Sequence, residues 1–501
     1  MPQRDMTSPG EGAHMHRRHT PLTGIIAAVT LALGASALGG TVAGHARAAD
    51  PASPLTLWAP QKLVAYSYQG SVYTDLGLRL VAPLEPFELW SSRASYADPI
   101  VTEWRSPSGT VVLPEGTMET FSGLADFVDI EVRKVSTGAM VESWQQTACL
   151  NGSAQRVRPD APARSPYPWG CPWNPYTVGS VMGIEAGYSS SLVQDYGLTL
   201  GLRPGKYDVT STIADDYTAL FGISPADARR VTRLVVKRQD SYPQSRPRQP
   251  RSVVATPHAQ EPPGASGGRV ADPKPDLRSL PAFGIGLNRK GTTLRFAATV
   301  WNAGDSPLVV DGFRGDGEDH MDAYQYFFDA DGNQTGYQSV GEMHWHAENH
   351  QHWHFEDFAQ YRLFDEDMSE VVLSTKQSFC LANTDAVDYT VPDADWHHEN
   401  TDLATACGGF DALSVRQVLS AGSGDTYLQY RYGQAFPIAD LPNGVYHIGV
   451  QANPLGNLVE SDTTNNDSYR RIRIGGKPDR RWVRAPQVGI VVEDLPFDRR
   501  G

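Results

Sequence analysis

Apolar and β-branched positions recur along this chain in short clusters, separated by Gly, Pro, Asp and Ser. From Pro54 to Lys237 the clusters Leu78–Val81, Phe127–Val132 and Leu198–Leu202 have strand length and composition. Arg203-Pro204-Gly205 is a turn that leads into another strand. Pro225–Arg230 is the one short helix this stretch predicts, with Ser224 as its N-cap and Pro225 at its first position. The pattern lapses from Gln239 to Pro273, where Pro, Arg, Ser, Gln and Gly leave too little apolar surface to bury. It resumes from Pro275 to about Ile474, with Thr293–Asn302 alternating as a strand and Ala303-Gly304-Asp305 as the turn after it. The expected fold is all-β: a β-sandwich-like N-terminal module over 49–238, a flexible linker over 239–273, a second β-sandwich domain over 274–475 and a tail over 476–501. The linker segment Ser245–Arg251 is basic and extended, which makes it an expected cleavage site that would release the second domain.

The first 48 residues read as an export signal. Arg17-Arg18 precede an apolar run from Ile25 to Leu38, and Ala46-Arg47-Ala48 offers a cut near Ala49. Met15 is an alternative start, and the residues after the paired arginines leave general and twin-arginine export open. No later segment is long and apolar enough to span a bilayer, so a secreted protein without a stable membrane span is expected. Cys149, Cys171, Cys380 and Cys407 are an even count for an oxidising compartment, and proximity pairs Cys149 with Cys171 and Cys380 with Cys407. The net charge of −14 argues against a nucleic-acid partner and is compatible with basic substrates.

The densest chemistry lies between Gly341 and Phe355. Five of the chain's 14 histidines stand there, all at even positions: His344, His346, His350, His352 and His354. In an extended strand, alternate side chains share a face, so His350, His352 and His354 can grip one ion. An imidazole set suits copper, zinc, iron or nickel, and spacing alone does not choose among them. Around the Asn453-Pro454 pair and Glu460-Ser461-Asp462-Thr463-Thr464-Asn465-Asn466 the chain gathers oxygen donors suited to calcium, or to a turn capped by its own side chains. Asp329-Ala330-Asp331-Gly332-Asn333 opens like a calcium loop, but lacks flanking helices and a closing glutamate, and reads as a hairpin turn. The loop Trp169–Trp173 around Cys171 is either an aromatic binding loop or a disulfide-stapled structural one.

His350-Gln351-His352-Trp353-His354, with Glu356, Phe358 and Tyr361-Arg362-Leu363-Phe364-Asp365 after it, resembles the copper-binding segment of the lysyl oxidase family of copper-dependent protein-lysine 6-oxidases. Lys376-Gln377-Ser378-Phe379-Cys380-Leu381 is similar to that family's K-x-S-F-C-L, and Asp425-Thr426-Tyr427 to its D-T-Y. Glu460 to Asn466 is similar to its E-S-D-x-T-N-N. The gap from His346 to His350 is one residue longer than in the vertebrate pattern and that pattern's cysteine is missing, which leaves the roles of His344 and His346 open; the member it resembles is a bacterial secreted one.

The resemblance implies a lysyl-oxidase-like β-sandwich catalytic domain. It implies copper on His350, His352 and His354, and a lysine tyrosylquinone formed from Lys376 and Tyr427. It also implies a structural Ca(II) on Asp276, the Leu277 carbonyl, Glu460, Asp462, Asn465 and Asn466. The implied activity is oxidation of primary amines, in peptidyl lysines or small molecules, to aldehydes, consuming O₂ and releasing NH₃ and H₂O₂. The quinone provides the electrophilic carbonyl that no standard side chain has. The sequence does not name the catalytic base, for which His346 is one weak candidate. The alternatives are a secreted copper-binding module without oxidase activity, and a matrix or cell-wall protein that binds extracellular polymer through its N-terminal module.

Overall fold

A computed structural model of the chain describes residues 53–193, 197–239, 261–270, 272–315, 318–346, 352–376, 378–397, 407–431, 433–477 and 480–493. The expected signal and the cleavage segment Ser245–Arg251 lie outside these residues. The described residues belong to one compact unit. The described residues are strands and loops, with two short helices.

In the N-terminal region, two four-stranded sheets and a seven-stranded sheet enclose one apolar core, which includes Leu57, Leu89, Phe127, Val209 and Leu234. Phe87–Ser92, Leu124–Lys134 and Gly205–Ile213 alternate buried side chains with more exposed ones, as strands with one face on a core do. The expected helix spans Pro225–Ala228, and the Ser224 side chain accepts from the Asp227 N–H. A second helix, Asp215–Phe221, was not expected. It buries Tyr217 and Phe221, one turn apart, and stops at Gly222 in a left-handed conformation.

The C-terminal domain stacks antiparallel strands around a second core containing Phe296, Trp353, Phe355, Tyr361, Phe379 and Phe436. One sheet runs Ser378–Phe379, His352–Glu356, Gln334–His346, His320–Phe328, Leu308–Phe313, Ser414–Leu419. A second is ordered Leu277–Ser279, Thr293–Asn302, Ser423–Tyr427, Asp385–Ala386. A third carries Glu370–Leu373, Ala359–Phe364, Gly444–Ala452, Asp467–Lys477 and Arg480–Arg484. The turn at 329–333 is a hairpin: Asp329 Oδ1 accepts from the N–H groups of Asp331 and Asn333.

Ordered structure reaches past both expected edges of this domain. Ser266–Gly268, in the stretch expected as linker, adds a strand beside Gln334–His346. At the other end Arg480–Arg484 pairs with Asp467–Lys477, and Val491 is buried. Both expected disulfides are present, with Cα atoms 5.8 Å apart at Cys149–Cys171 and 6.0 Å apart at Cys380–Cys407.

Candidate active site

The histidine strand is His352–Glu356, antiparallel to the end of Gln334–His346. His344 stands opposite His354, and His346 opposite His352. The strand is fixed by its apolar positions. Trp353 and Phe355 are buried, and Trp353 Nε1 donates to the Gly409 carbonyl at 2.9 Å. With those two rings on one face, period-two alternation sends His352 and His354 to the other. Their ring centres are 4.7 Å apart, and His354 is 1 % exposed. His350 lies outside the described residues, as does the side chain of His346. Among the described residues no three His, Cys, Asp or Glu side chains converge as a metal-binding group. The described imidazoles, His352 and His354 with His344 as the cross-strand partner of His354, are of the kind that suits copper, zinc, iron or nickel.

On the next strand His320 pairs with His344, their rings 6.1 Å apart. The Asp319 side chain holds the His320 imidazole above its ordinary pKa. One step along, Asp322 faces Glu342, and Glu356 faces Ser378.

Ser378 joins the histidines to the second part of the site. Its Oγ is 3.3 Å from His354 Nδ1, and its carbonyl accepts from Lys376 Nζ at 3.0 Å. Lys376 is only 6 % exposed. Its Nζ stands 4.2 Å from the centre of the Tyr427 ring and 4.7 Å from that of Phe379. Burial lowers the Lys376 amine to about 8, against the opposing pull of Asp425. Gly433, at φ +77, lets a loop close over the lysine: a Cβ there would come 3.0 Å from Lys376 Cβ. The Gly433 carbonyl accepts from Ser374 Oγ at 2.8 Å, and Ser374 Oγ accepts from Lys376 N at 3.2 Å.

Tyr427 ends the strand Ser423–Tyr427 and is partly exposed. Its hydroxyl lies 3.1 Å from both the N–H and the carbonyl of Cys380, donating to the carbonyl. Burial, then the Asp425 charge, pushes its phenol well above the ordinary value. Asp425, 3 % exposed, is itself pushed well above the carboxylate range by burial, and its Oδ2 has no hydrogen-bond partner among the described residues. The Cys380–Cys407 disulfide ties these parts together, because Cys407 O accepts from Trp353 N at 3.0 Å, between the two histidines. Ser378 and Asp425 lie inside motifs visible in the sequence. Their roles follow only from the pairing of strands far apart in the chain.

The expected calcium donors meet in part. Glu460 accepts from Leu277 N at 2.9 Å, Asn453 Nδ2 at 2.6 Å and Asn466 Nδ2 at 2.8 Å. Asn465 Nδ2 lies 3.0 Å from Asp276 Oδ1. The Oδ1 atoms of Asn465 and Asn466 are buried without a hydrogen-bond partner among the described residues, which suits a cation-binding turn. Asp462 is exposed, and its Oδ1 is taken by the N–H and hydroxyl of Thr464, at 2.8 and 2.7 Å.

Residues 332–483 match the family model described as lysyl oxidase. That span holds the histidine strand, Lys376, Tyr427 and the Glu460–Asn466 turn, and excludes Asp276 and Leu277. No curated protein matches the chain.

Proposed function

We propose that this chain, which carries a lysyl oxidase domain at residues 332–483, oxidises primary amines of polypeptide lysines with a cofactor made from its own Lys376 and Tyr427. The observation that carries this reading is the buried Lys376 amine 4.2 Å from the centre of the Tyr427 ring. Copper would be held by His350, His352 and His354. When bound, copper and the lysine tyrosylquinone supply the O₂ chemistry and an electrophilic carbonyl, so that RCH₂NH₂, O₂ and H₂O become RCHO, NH₃ and H₂O₂.

The side chains of this protein set the conditions for that chemistry. Because burial brings Lys376 to about 8, a sizeable share of its amine is neutral, and so nucleophilic, near neutral pH. The ring of Phe379 lies edge-on to Tyr427 at 5.0 Å and excludes water from that side. Asp425, beside both reacting groups, is the residue we assign to hold and move protons. The acidic chain favours encounter with lysine-rich polypeptides. Action outside the cell is supported by the two disulfides, and no helix among the described residues is long and apolar enough to cross a membrane.

A Ca(II) ion would sit among Asp276, Glu460, Asn465 and Asn466 and clip the strand Leu277–Ser279 to the turn after Glu460. Asp462, whose Oδ1 is already taken by Thr464, is the weaker member of that set, which also includes the Leu277 carbonyl. The test of the main reading is turnover of a lysyl peptide, followed by peroxide release, in the copper-loaded protein and in Tyr427→Phe. Wild-type turnover that is absent in the variant supports it; equal turnover overturns it.

A further inference from the structure

The loop Trp173–Gly179 of the N-terminal region is buried against the C-terminal domain. Tyr176 packs with Leu280, Phe283, Ala297, Trp301 and Val387, and its hydroxyl donates to Glu493 at 2.8 Å. Main chains also join: Val178 N donates to Val387 O at 2.8 Å, and Tyr389 N to Gly179 O at 3.1 Å. Gly179 is required at this contact, because a Cβ there would collide with the Asp388 carboxylate.

At the centre of this seam lies the buried amide of Asn174. Its Oδ1 accepts from Tyr176 N at 3.0 Å, which fixes the orientation of the side chain. Its Nδ2 lies 2.9 Å from Thr299 Oγ1, 3.3 Å from Thr426 Oγ1 and 3.4 Å from Asp385 Oδ2. Thr299 and Thr426 are register partners whose hydroxyls are 2.6 Å apart, and Thr426 Oγ1 also donates to Asp385 Oδ2.

What this network holds is the end of the strand that carries Tyr427. On one side that strand pairs with Thr293–Asn302 as far as Tyr427 itself. On the other side its partner Asp385–Ala386 pairs only with Gly424 and Ser423. Beyond Gly424, side chains replace the ladder: Thr426 N donates to Thr384 Oγ1 at 2.7 Å, while Asp385 and Asn174 hold the Thr426 hydroxyl. Alternation along the strand places Thr426 on the seam face and Asp425 and Tyr427 on the face of Lys376.

We infer that the N-terminal region is a built-in support of the cofactor-forming centre, with Asn174 as a positioning residue that sets the place of Tyr427. This rests on the reading of Lys376 and Tyr427 as the cofactor pair. Bond formation between two side chains requires reacting atoms about 3 to 3.5 Å apart, and a shift of about 1 Å costs on the order of a hundredfold in rate. A strand end held by one ladder and one side-chain network loses that placement when the network is cut.

The test uses the full chain, purified free of metal and then loaded with Cu(II) in air. Variants are Asn174→Ala, Thr426→Val and Thr426→Ser. The rate of appearance of the Lys376–Tyr427 cross-linked peptide is followed by mass spectrometry, and amide exchange at 425–427 is measured before copper is added. Asn174→Ala and Thr426→Val are expected to slow cross-linking about tenfold or more and to speed exchange at 425–427. Copper uptake stays normal, and Thr426→Ser, which keeps the hydroxyl, cross-links at the wild-type rate. Wild-type cross-linking in Asn174→Ala overturns the inference while leaving the cofactor reading intact. Absence of cross-linking in the wild-type protein at full copper occupancy overturns both. If Asn174→Ala does not fold, Asn174→Ser, whose hydroxyl is too short to bridge the seam, is read in the same way.

Discussion

The N-terminal region and the C-terminal domain are built alike, from mostly antiparallel strands around an apolar core, yet they bury different polar groups. Among the described residues between 53 and 239 the buried polar side chains are Ser, Thr and Asn, such as Ser91, Thr102, Asn151, Ser190 and Thr232. The C-terminal domain buries Asp276, Asp311, His354, Lys376, Asp385, Asp425 and Arg470. Taking an ionisable group out of water costs several kcal/mol after relaxation, so a fold keeps one inside where it is paired or used. Asp311 is paired, by two bonds of 2.7 Å to Arg416, and Arg470 meets Glu493 at 2.6 Å. Lys376 and Asp425 instead stand beside a phenol, with Asp425 Oδ2 unbonded among the described residues. The contrast separates a scaffold from the proposed reactive centre within one unit.

The largest effect should come from removing either member of the Lys376–Tyr427 pair. Tyr427→Phe and Lys376→Ala are each expected to abolish amine oxidation while leaving copper bound, measured by peroxide release and metal content. The next effect is on rate. Lys376 reacts when neutral and burial lowers it to about 8, so cross-linking at saturating copper should rise about tenfold per pH unit below that value and level off above it. A rate that falls as pH rises from 6 to 8 would contradict the assignment of the lysine as nucleophile.

A stability effect comes third. Glu460→Ala strips the acceptor from Leu277 N, Asn453 and Asn466, and should lower unfolding stability by about 2–3 kcal/mol in urea titrations. A calcium chelator should lower the melting temperature of the wild-type protein and not that of the variant. Weaker still, cleavage between 240 and 260 should leave two fragments that co-elute on gel filtration, because the 173–179 seam holds them. Smallest is Ser190→Ala in the N-terminal region, whose hydroxyl has no partner among the described residues. Removing a buried hydroxyl that lacks a bond should leave stability unchanged or raise it by no more than about 1 kcal/mol, and leave activity unchanged.

Local pattern made much of this fold legible. The strand Thr293–Asn302, the hairpin at Asp329–Asn333 and the helix capped by Ser224 all declare themselves through periodicity or turn chemistry. The helix Asp215–Phe221 does not, because seven residues with one buried pair are too short to show a helical period. His352 and His354 follow from alternation on a strand. Lys376 and Tyr427 are individually unremarkable residue types, marked in the sequence only by the motifs around them, and their proximity is a product of strand pairing. The Asn174 network is the least legible part. Its partners lie 125, 211 and 252 residues away, at separations on which no local pattern bears. Similarly, the stretch read as linker gains a strand at Ser266–Gly268 only because the edge of Gln334–His346 is there to receive it.

In the proposed function Lys376 and Tyr427 become one cofactor. Peptide mass spectrometry of the full chain, loaded with copper and matured in air, tests it most directly. The expected result is a single oxidised species in which the Lys376 and Tyr427 peptides are covalently joined. Separate, unmodified peptides from natively folded protein at full copper occupancy would contradict it.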